Sequence, residues 1–149
     1  MSTLNSIVSG RETYTIDKGM TVLQAIQYMT EKRIGAVAVV DGDRLVGVFS
    51  ERDLMTRVVA PQRPADKTFI SEVMTRDVTH GHPDESYEQG LARMQHANCR
   101  HLPIVKDGSL LGFISLRDLM QVDIDKKTEE LKLMHEYIHC MPMAASGQT

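Results

Sequence analysis

The sequence predicts a mixed α/β (α+β) fold: two tandem β-α-β-β-α repeats packed about a pseudo-twofold axis, followed by a C-terminal amphipathic helix. The main evidence is that the stretch 45–55 recurs at 110–120 with seven of eleven residues identical. Over the longer ranges 14–59 and 79–124, ten of 46 aligned pairs are identical, and helix caps, turns and apolar runs recur in the same order. A two-copy repeat of this kind indicates one duplicated module rather than a solenoid.

The first repeat, predicted at 13–60, follows a lead-in that shows little pattern. The segment 13–16 is prone to β structure. Thr21 and Gln24 then form a capping box that opens a helix. The residues that share the apolar face of this helix lie at helical spacing: Val22, Ala25, Ile26 and Met29.

The rest of the first repeat has the pattern strand, turn, strand and helix. The run 36–40 is apolar and β-branched, as expected for a strand covered on both faces. An Asp-Gly turn at 41–42 leads into a return strand at 45–49. We expect the helix that begins at Ser50 to run to about residue 59.

A linker and lead-in at 61–77 carries prolines and a short helical turn at 68–74. The second repeat is predicted at 78–122. Its elements repeat the order of the first: a strand at 78–80, a capping box at Ser86 and Gln89, strands at 102–105 and 110–114, and a helix from Ser115. Since one repeat is too small to bury a good core, the two should pack face to face around a cleft.

The segment 123–141 is predicted to be a long amphipathic helix, with a flexible tail at 142–149. Apolar residues lie at helical or heptad-like spacing along it: Ile124, Leu131, Met134 and Ile138. Such a face requires a partner surface. We therefore expect a homodimer.

Composition excludes several classes of protein. A net charge of −3 over 149 residues, without a basic block, predicts no nucleic-acid partner. No apolar run approaches the roughly 20 residues of a membrane span, and the N-terminus lacks the features of a signal peptide. The two cysteines, Cys99 and Cys140, form no disulfide framework. We expect a cytoplasmic protein without membrane contact.

The duplicated stretch contains the candidate site, because each copy is a strand that enters a helix through a serine. Free backbone N–H groups and the helix dipole make such an N-terminus attractive to anions. Ser50 with Asp53, and Ser115 with Asp118, also match a helix cap that stabilises any helix by about 1 kcal/mol. The pattern alone leaves both interpretations open.

The order and register of these elements resemble a pair of CBS domains, named after cystathionine β-synthase and paired as a Bateman module. The resemblance covers about residues 13–122 and includes Gly-apolar-apolar-Ser-x-x-Asp in each repeat, the lead-in 73–78 and the strand entry 100–105. It implies a non-catalytic regulatory sensor that binds an adenine nucleotide (AMP, ADP, ATP or NAD) between the repeats. It also implies a homodimer whose state is read by an effector protein.

The resemblance implies roles for individual residues. Asp53 and Asp118 would bond ribose hydroxyls, as the acidic residue of dinucleotide folds does. Ser50 and Ser115 would contact ribose or phosphate, and Arg52 and Arg117 would approach phosphate. The residues implied at the adenine and phosphate end, in the strand entry or along the edge strands are Ile34, Gly35, Ala36, Cys99, Arg100, His101, Pro103, Thr15, Ile16, His80 and Gly81.

The second repeat departs from the family pattern at one of these positions. Gly81 stands where an apolar residue is expected to cover the base. The first repeat also departs, since Lys18 stands where the family often has proline and the second repeat has Pro83. Because Gly81 weakens the adenine pocket at the second repeat, we favour the turn Ser50–Asp53 slightly; the sequence leaves open whether one or both clefts bind a ligand.

Two alternatives belong to other functional classes. The first is a ligand-free dimerisation or interaction module with vestigial clefts. The second and more remote one is a zinc hydrolase, because His135, Glu136 and His139 match the H-E-x-x-H motif. We reject it because the motif lies near a chain end without an enclosed cleft or a third ligand. A weak surface metal site that includes Cys140 is favoured over a catalytic zinc. Neither a metal cofactor nor enzymatic activity is expected.

Overall fold

The computed structural model describes residues 2–140. The end of the predicted helix 123–141 and the predicted tail 142–149 lie outside the described residues. The elements in chain order are α1 (Leu4–Val8), β1 (Thr15–Asp17), α2 (Val22–Lys32), β2 (Ala36–Asp41), β3 (Arg44–Ser50), α3 (Glu51–Asp53) with a π-helical continuation (Leu54–Val59), α4 (Ile70–Val73), α5 (Tyr87–Ala97), β4 (His101–Lys106), β5 (Ser109–Ser115) and α6 (Leu116–Cys140).

The five strands form one sheet in the order β1-β2-β3-β5-β4, which confirms the mixed α/β prediction. Within each repeat the two long strands form an antiparallel hairpin, and both hairpins carry an irregularity at equivalent positions, Val39/Val40 and Ile104/Val105. The hairpins meet where Arg44 pairs with Ser109. The duplication seen in the sequence is therefore present in the strand register as well.

The predicted strand at 78–80 is absent from the structure, and this part of the prediction is wrong. The backbone makes instead an isolated parallel bridge between Gly81 and Ile104. The first repeat has a three-residue strand, β1, at the equivalent position, where Ile16 pairs with Val39.

The lead-in at 1–12 contains α1, which the sequence analysis missed. This helix precedes the first repeat but packs in the core of the second, where Leu4 is completely buried and Val8 nearly so. The converse holds for α4, which precedes the second repeat: Ile70 and Val73 are buried in the core of the first. We call α1 and α4 the leading helices.

Backbone hydrogen bonds hold the two leading helices in equivalent ways. The amide of Leu4 donates to the carbonyl of Glu85 at 2.8 Å, and the amide of Ile70 donates to the carbonyl of Met20 at 2.9 Å. Leu4 and Ile70 lie 66 positions apart in the chain, and Met20 and Glu85 lie 65 apart. Each repeat therefore completes its core with the leading helix of the other.

Leu4 accounts for the glycine at position 81. A Cβ atom on Gly81 would lie 2.8 Å from Cδ1 of Leu4, and one on Gly90 would lie 2.9 Å from Cδ2 of Leu4. The leucine from α1 thus occupies space that side chains at these two positions would otherwise fill. The departure from the family pattern at Gly81 is compensated by a residue from another segment.

Helix α6 extends past the two repeats. Leu119 is buried in the second-repeat core, whereas every residue from Lys127 to Cys140 is exposed. The apolar residues predicted to form one face of this helix are all more than half exposed: Ile124, Leu131, Met134 and Ile138. The homodimer inferred from this face stays a prediction.

We predict that Leu4→Ala destabilises the whole module, because it removes a fully buried side chain at the junction of α1 with the second repeat. The expected loss in the free energy of unfolding is about 2–5 kcal/mol, measured by urea denaturation. The matched control is Leu23→Ala on α2, where the side chain is 41% exposed and a change within about 0.5 kcal/mol is expected. Equal effects of the two substitutions would contradict the structural role of α1.

Candidate functional site

A cavity of about 750 Å³ lies between the two repeats, within the size range of small-molecule sites. Its walls come from the segment after α1, the loop between α2 and β2, the strands β4 and β5, and the start of α6. The lining residues are Arg11, Glu12, Thr13, Tyr14, Arg33, Ile34, Gly35, Ala36, Arg100, His101, Phe113, Ser115, Leu116, Arg117, Asp118, Met120, Gln121 and Ile124.

Asp118 is held in this wall by the cap of α6. The amide of Ser115 donates to Oδ2 of Asp118 at 2.9 Å, and the amide of Asp118 donates to the Ser115 hydroxyl at 3.0 Å. The guanidinium of Arg11 donates to the other oxygen, Oδ1, at 3.1 Å. The side chain keeps 29% of its surface exposed. Asp118 therefore caps α6 and faces the cavity at the same time.

The ionisation of Asp118 reflects opposing effects. Partial burial favours the neutral acid, but the hydrogen bonds from the Ser115 amide and from Arg11 outweigh it and hold the pKa of Asp118 below its usual value. The carboxylate is therefore charged at neutral pH. As a charged acceptor it can bind hydroxyl groups of a ligand.

The equivalent carboxylate of the first repeat, Asp53, is enclosed. The residue is only 6% exposed, and its Oδ2 accepts the Ser50 amide at 3.0 Å. Its Oδ1 accepts the Thr75 hydroxyl at 2.9 Å and lies 3.7 Å from Nε of Arg57. Thr75 covers the carboxylate because its backbone pairs with Val48 on strand β3.

Asp53 is enclosed and Asp118 is partly exposed because the chain follows different paths after α4 and after α1. After α4 the chain continues extended and Thr75 joins β3. After α1 it turns at Gly10, whose φ of +77° lies in the left-handed region that favours glycine. The turn carries Arg11 to Asp118. The second-repeat carboxylate consequently faces the cavity.

One wall of the cavity is aromatic. The rings of His101 and Phe113 stack with centroids 5.2 Å apart and planes inclined by 13°. Burial lowers the pKa of His101, which keeps the imidazole neutral at neutral pH. A flat, uncharged surface of this kind suits stacking against a planar ring.

The cavity is also rich in arginine. Arg11, Arg33, Arg100 and Arg117 line it, against two carboxylates, Glu12 and Asp118. Guanidinium groups bind phosphate and carboxylate oxygens with paired hydrogen bonds. The electrostatics therefore favour an anionic ligand.

The structure brings eight of the predicted site residues to this cavity: Ile34, Gly35, Ala36, Arg100, His101, Ser115, Arg117 and Asp118. Those in the first-repeat turn, Ser50, Arg52 and Asp53, lie outside the lining of this cavity. Thr15 and Ile16 lie in β1 at the edge of the sheet, and Ile16 has its side chain in the core. Our preference for the first-repeat turn stays a prediction, although the cavity lies at the second-repeat turn.

The remaining predicted residues lie elsewhere in the second repeat. Pro103 is buried in β4 and its carbonyl accepts the amide of Gly81 at 2.8 Å. Cys99 packs beside the second-repeat core, where burial raises the pKa of its thiol. His80 lines a different depression, of about 430 Å³, together with Arg93.

The sequence analysis missed Arg11, Tyr14, Arg33 and Phe113. The duplication carries a signal for Arg11. The segment 7–11 lies 66 positions before the lead-in at 73–77, and a comparison of the two would have pointed to Arg11. The residues around Ile34 and Gly35 were found because the family pattern includes them.

Comparison with known families agrees with this geometry. The family model for the CBS domain matches residues 7–60 and 70–125. The chain therefore belongs to the CBS domain family and carries two CBS domains in tandem. Each matched segment begins within a leading helix, α1 or α4, which packs on the repeat that it does not precede.

Relatives share this organisation. The chain is 28% identical over 126 residues to the mitochondrial CBS domain-containing protein CBSX3 of Arabidopsis thaliana, covering 79% of the chain but only 60% of that protein. It is 39% identical to a protein with CBS domains from Burkholderia ambifaria, with a TM-score of 0.76 and 83% and 95% of the two chains covered. The CBS domain pair of protein MJ0100, solved with 5′-methylthioadenosine and S-adenosylmethionine, shares the fold at 23% identity, with a TM-score of 0.73 over 85% and 98% of the chains.

Within residues 2–140, no helix is both long enough and apolar enough to span a membrane.

We predict that Arg11→Ala lowers stability in a pH-dependent way. Because the folded-state pKa of Asp118 is depressed, its ion pair stabilises the fold above the unfolded-state pKa of about 3.9. This contribution is lost as the pH falls through the lower folded-state pKa. For a partly exposed pair we expect a difference from wild type of about 1 kcal/mol or less at neutral pH, measured by urea unfolding. A difference in stability that stays constant on acidification would show that Arg11 acts through packing. The variant Arg11→Lys should retain part of the stabilisation, because lysine keeps the positive charge.

Proposed function

We propose that this CBS pair is a non-catalytic sensor that binds an adenine nucleotide in the cavity between its repeats. The observation that carries the proposal is the position of Asp118: a charged carboxylate in the cavity wall, with one oxygen bonded by Arg11 and three further arginines on the surrounding walls. Ribose hydroxyls match the carboxylate, and phosphate oxygens match the guanidinium groups.

The cavity offers separate surfaces for the parts of such a ligand. In our proposal the adenine ring lies against the stacked His101 and Phe113, and the ribose lies at Asp118 and Ser115. The phosphates extend toward Arg100 and Arg117 at the exposed rim of the cavity. The four arginines favour a phosphorylated ligand over the phosphate-free compounds bound by the CBS pair of MJ0100.

The contact between Arg11 and Asp118 suggests how binding is sensed. A ribose hydroxyl at Oδ1 of Asp118 would compete with the guanidinium of Arg11, which lies 3.1 Å from that oxygen. Arg11 follows α1 by three residues, and α1 is anchored in the second-repeat core through Leu4. Release of Arg11 therefore changes the restraint on α1, and an effector protein reads the shifted population of the two states.

We predict that Asp118→Asn weakens nucleotide binding at least tenfold, because loss of a charge-assisted hydrogen bond costs about 1.5–3 kcal/mol. Isothermal titration calorimetry with AMP, ADP, ATP and NAD measures the affinity. The matched control is Asp53→Asn at the equivalent position of the first repeat, where the carboxylate is enclosed by Ser50 and Thr75. This control should keep wild-type affinity if its far-ultraviolet circular dichroism shows a folded protein.

Two results would count against the proposal. If wild-type protein binds none of the four nucleotides at about 1 mM, the ligand-free interaction module is the better description. If Asp53→Asn abolishes binding and Asp118→Asn does not, the ligand occupies the first-repeat turn that the sequence favoured.

We also predict that the arginines discriminate ligands by phosphate number. Affinity should rise from adenosine to AMP to ADP, and the double substitution Arg100→Ala and Arg117→Ala should flatten this series while adenosine binding persists. The reason is that these side chains meet the phosphates and not the base or ribose. Raising the salt concentration should weaken ADP binding to the wild type more than to the double variant. A series with the same slope in both proteins would contradict the assignment.

A further inference from the structure

One sequence motif plays no part in the proposed nucleotide site. His135 and His139 lie four residues apart on α6, which remains helical to Cys140. Residues at this spacing lie on the same face of a helix. Both side chains are exposed, so solutes reach them without displacing other parts of the protein.

The two imidazoles bring their Nε2 atoms close together. Their Nε2 atoms are 2.8 Å apart, and the ring centroids are 4.1 Å apart with planes inclined by 82°. A metal ion with bonds of about 2.0–2.1 Å to two cis ligands at a right angle would separate those nitrogens by about 2.9 Å. The pair is therefore already at the spacing of two adjacent coordination positions, and a metal ion would replace the hydrogen bond between the two rings.

We propose that His135 and His139 form a chelating site for a divalent transition-metal ion on the exposed end of α6. Imidazole nitrogen selects copper, nickel and zinc over magnesium and calcium, which prefer oxygen ligands. The short separation of the two nitrogens suits the cis positions of nickel(II) or copper(II) more closely than the wider tetrahedral angle of zinc.

This site differs from a metalloprotease centre despite the shared motif. Within residues 2–140 no third histidine, cysteine or carboxylate joins the pair to form a metal cluster. The pair also lies on a helix whose residues from Lys127 onward are all exposed, outside the lining of the cavity between the repeats. The remaining coordination positions are therefore open to water. The site binds metal without the enclosed cleft that hydrolysis requires.

Metal binding at this place would stabilise the end of α6. The two nitrogens converge only while residues 135–139 are helical, so an ion that binds both favours the helix over its frayed state. The exposed apolar side chains Leu131, Met134 and Ile138 belong to the same helical segment. The ion would thus order the surface that these residues present.

The experiment uses nickel(II) chloride titrated into chelator-treated, full-length protein without an affinity tag. Calorimetry should show one ion bound per chain, and His135→Ala and His139→Ala should each weaken the affinity at least tenfold by leaving a single ligand. The control is His96→Ala, which removes an exposed histidine from α5 and should leave the affinity unchanged. Magnesium chloride should produce no binding heat.

Hydrogen exchange provides a second measurement that does not depend on the calorimetric signal. Nickel should slow amide exchange across residues 132–140 in the wild type and in His96→Ala, but not in the two variants of the pair. Unchanged nickel affinity in the double variant His135→Ala and His139→Ala would overturn the proposal, because another group, such as His80 with His82, would then hold the ion. Absence of nickel binding to the wild type at about 1 mM would overturn it as well.

Discussion

The insertion of Leu4 into the core of the second repeat is the interaction on which the rest of the structure depends. The second repeat has only glycine at positions 81 and 90, and the leucine fills the space that these residues leave. This anchors α1 on the second repeat, although it precedes the first. Between α1 and β1 the chain then contributes Arg11 and Tyr14 to the cavity walls. Core packing and the composition of the site therefore have the same origin.

Duplication produced two equivalent turns, but the flanking segments made them different. Both turns have the serine and the aspartate that cap a helix, so helix capping by itself is sufficient to account for these residues in both copies. Thr75 closes one carboxylate, whereas Gly10 and Arg11 leave the other at the edge of a cavity. A pair of identical motifs therefore gives one enclosed carboxylate, Asp53, and one that faces a cavity, Asp118, and the residues that make this difference lie outside the motif.

The sequence predicted the fold well because its signals were local and duplicated. Capping residues such as Thr21 and Ser86, the apolar run of β2 and the repeated turns each constrain only their own neighbourhood. The failures concern contacts between distant segments. No periodicity could show that α1, five residues long, packs on the second repeat, and the residues at 78–80 carry β propensity but find only a single bridge at Gly81. The asymmetry between Asp53 and Asp118 was hidden for the same reason, since Thr75 and Arg11 reach them from other parts of the chain.

In the proposed function, the energetics of the site favour sensing over tight, permanent occupation. The carboxylate of Asp118 already has a cationic partner in Arg11, so a ligand would gain only the difference between its own hydrogen bonds and those of Arg11. The displaced guanidinium is not left unpaired, because Arg11 lines the same cavity and can turn to an anionic ligand that replaces Asp118 as its partner. In the proposed function, such an exchange of partners would make binding reversible and couple it to the segment that joins α1 to β1. A ligand without negative charge would displace Arg11 without offering it a new partner, so the contact proposed to transmit the signal would also select for phosphate.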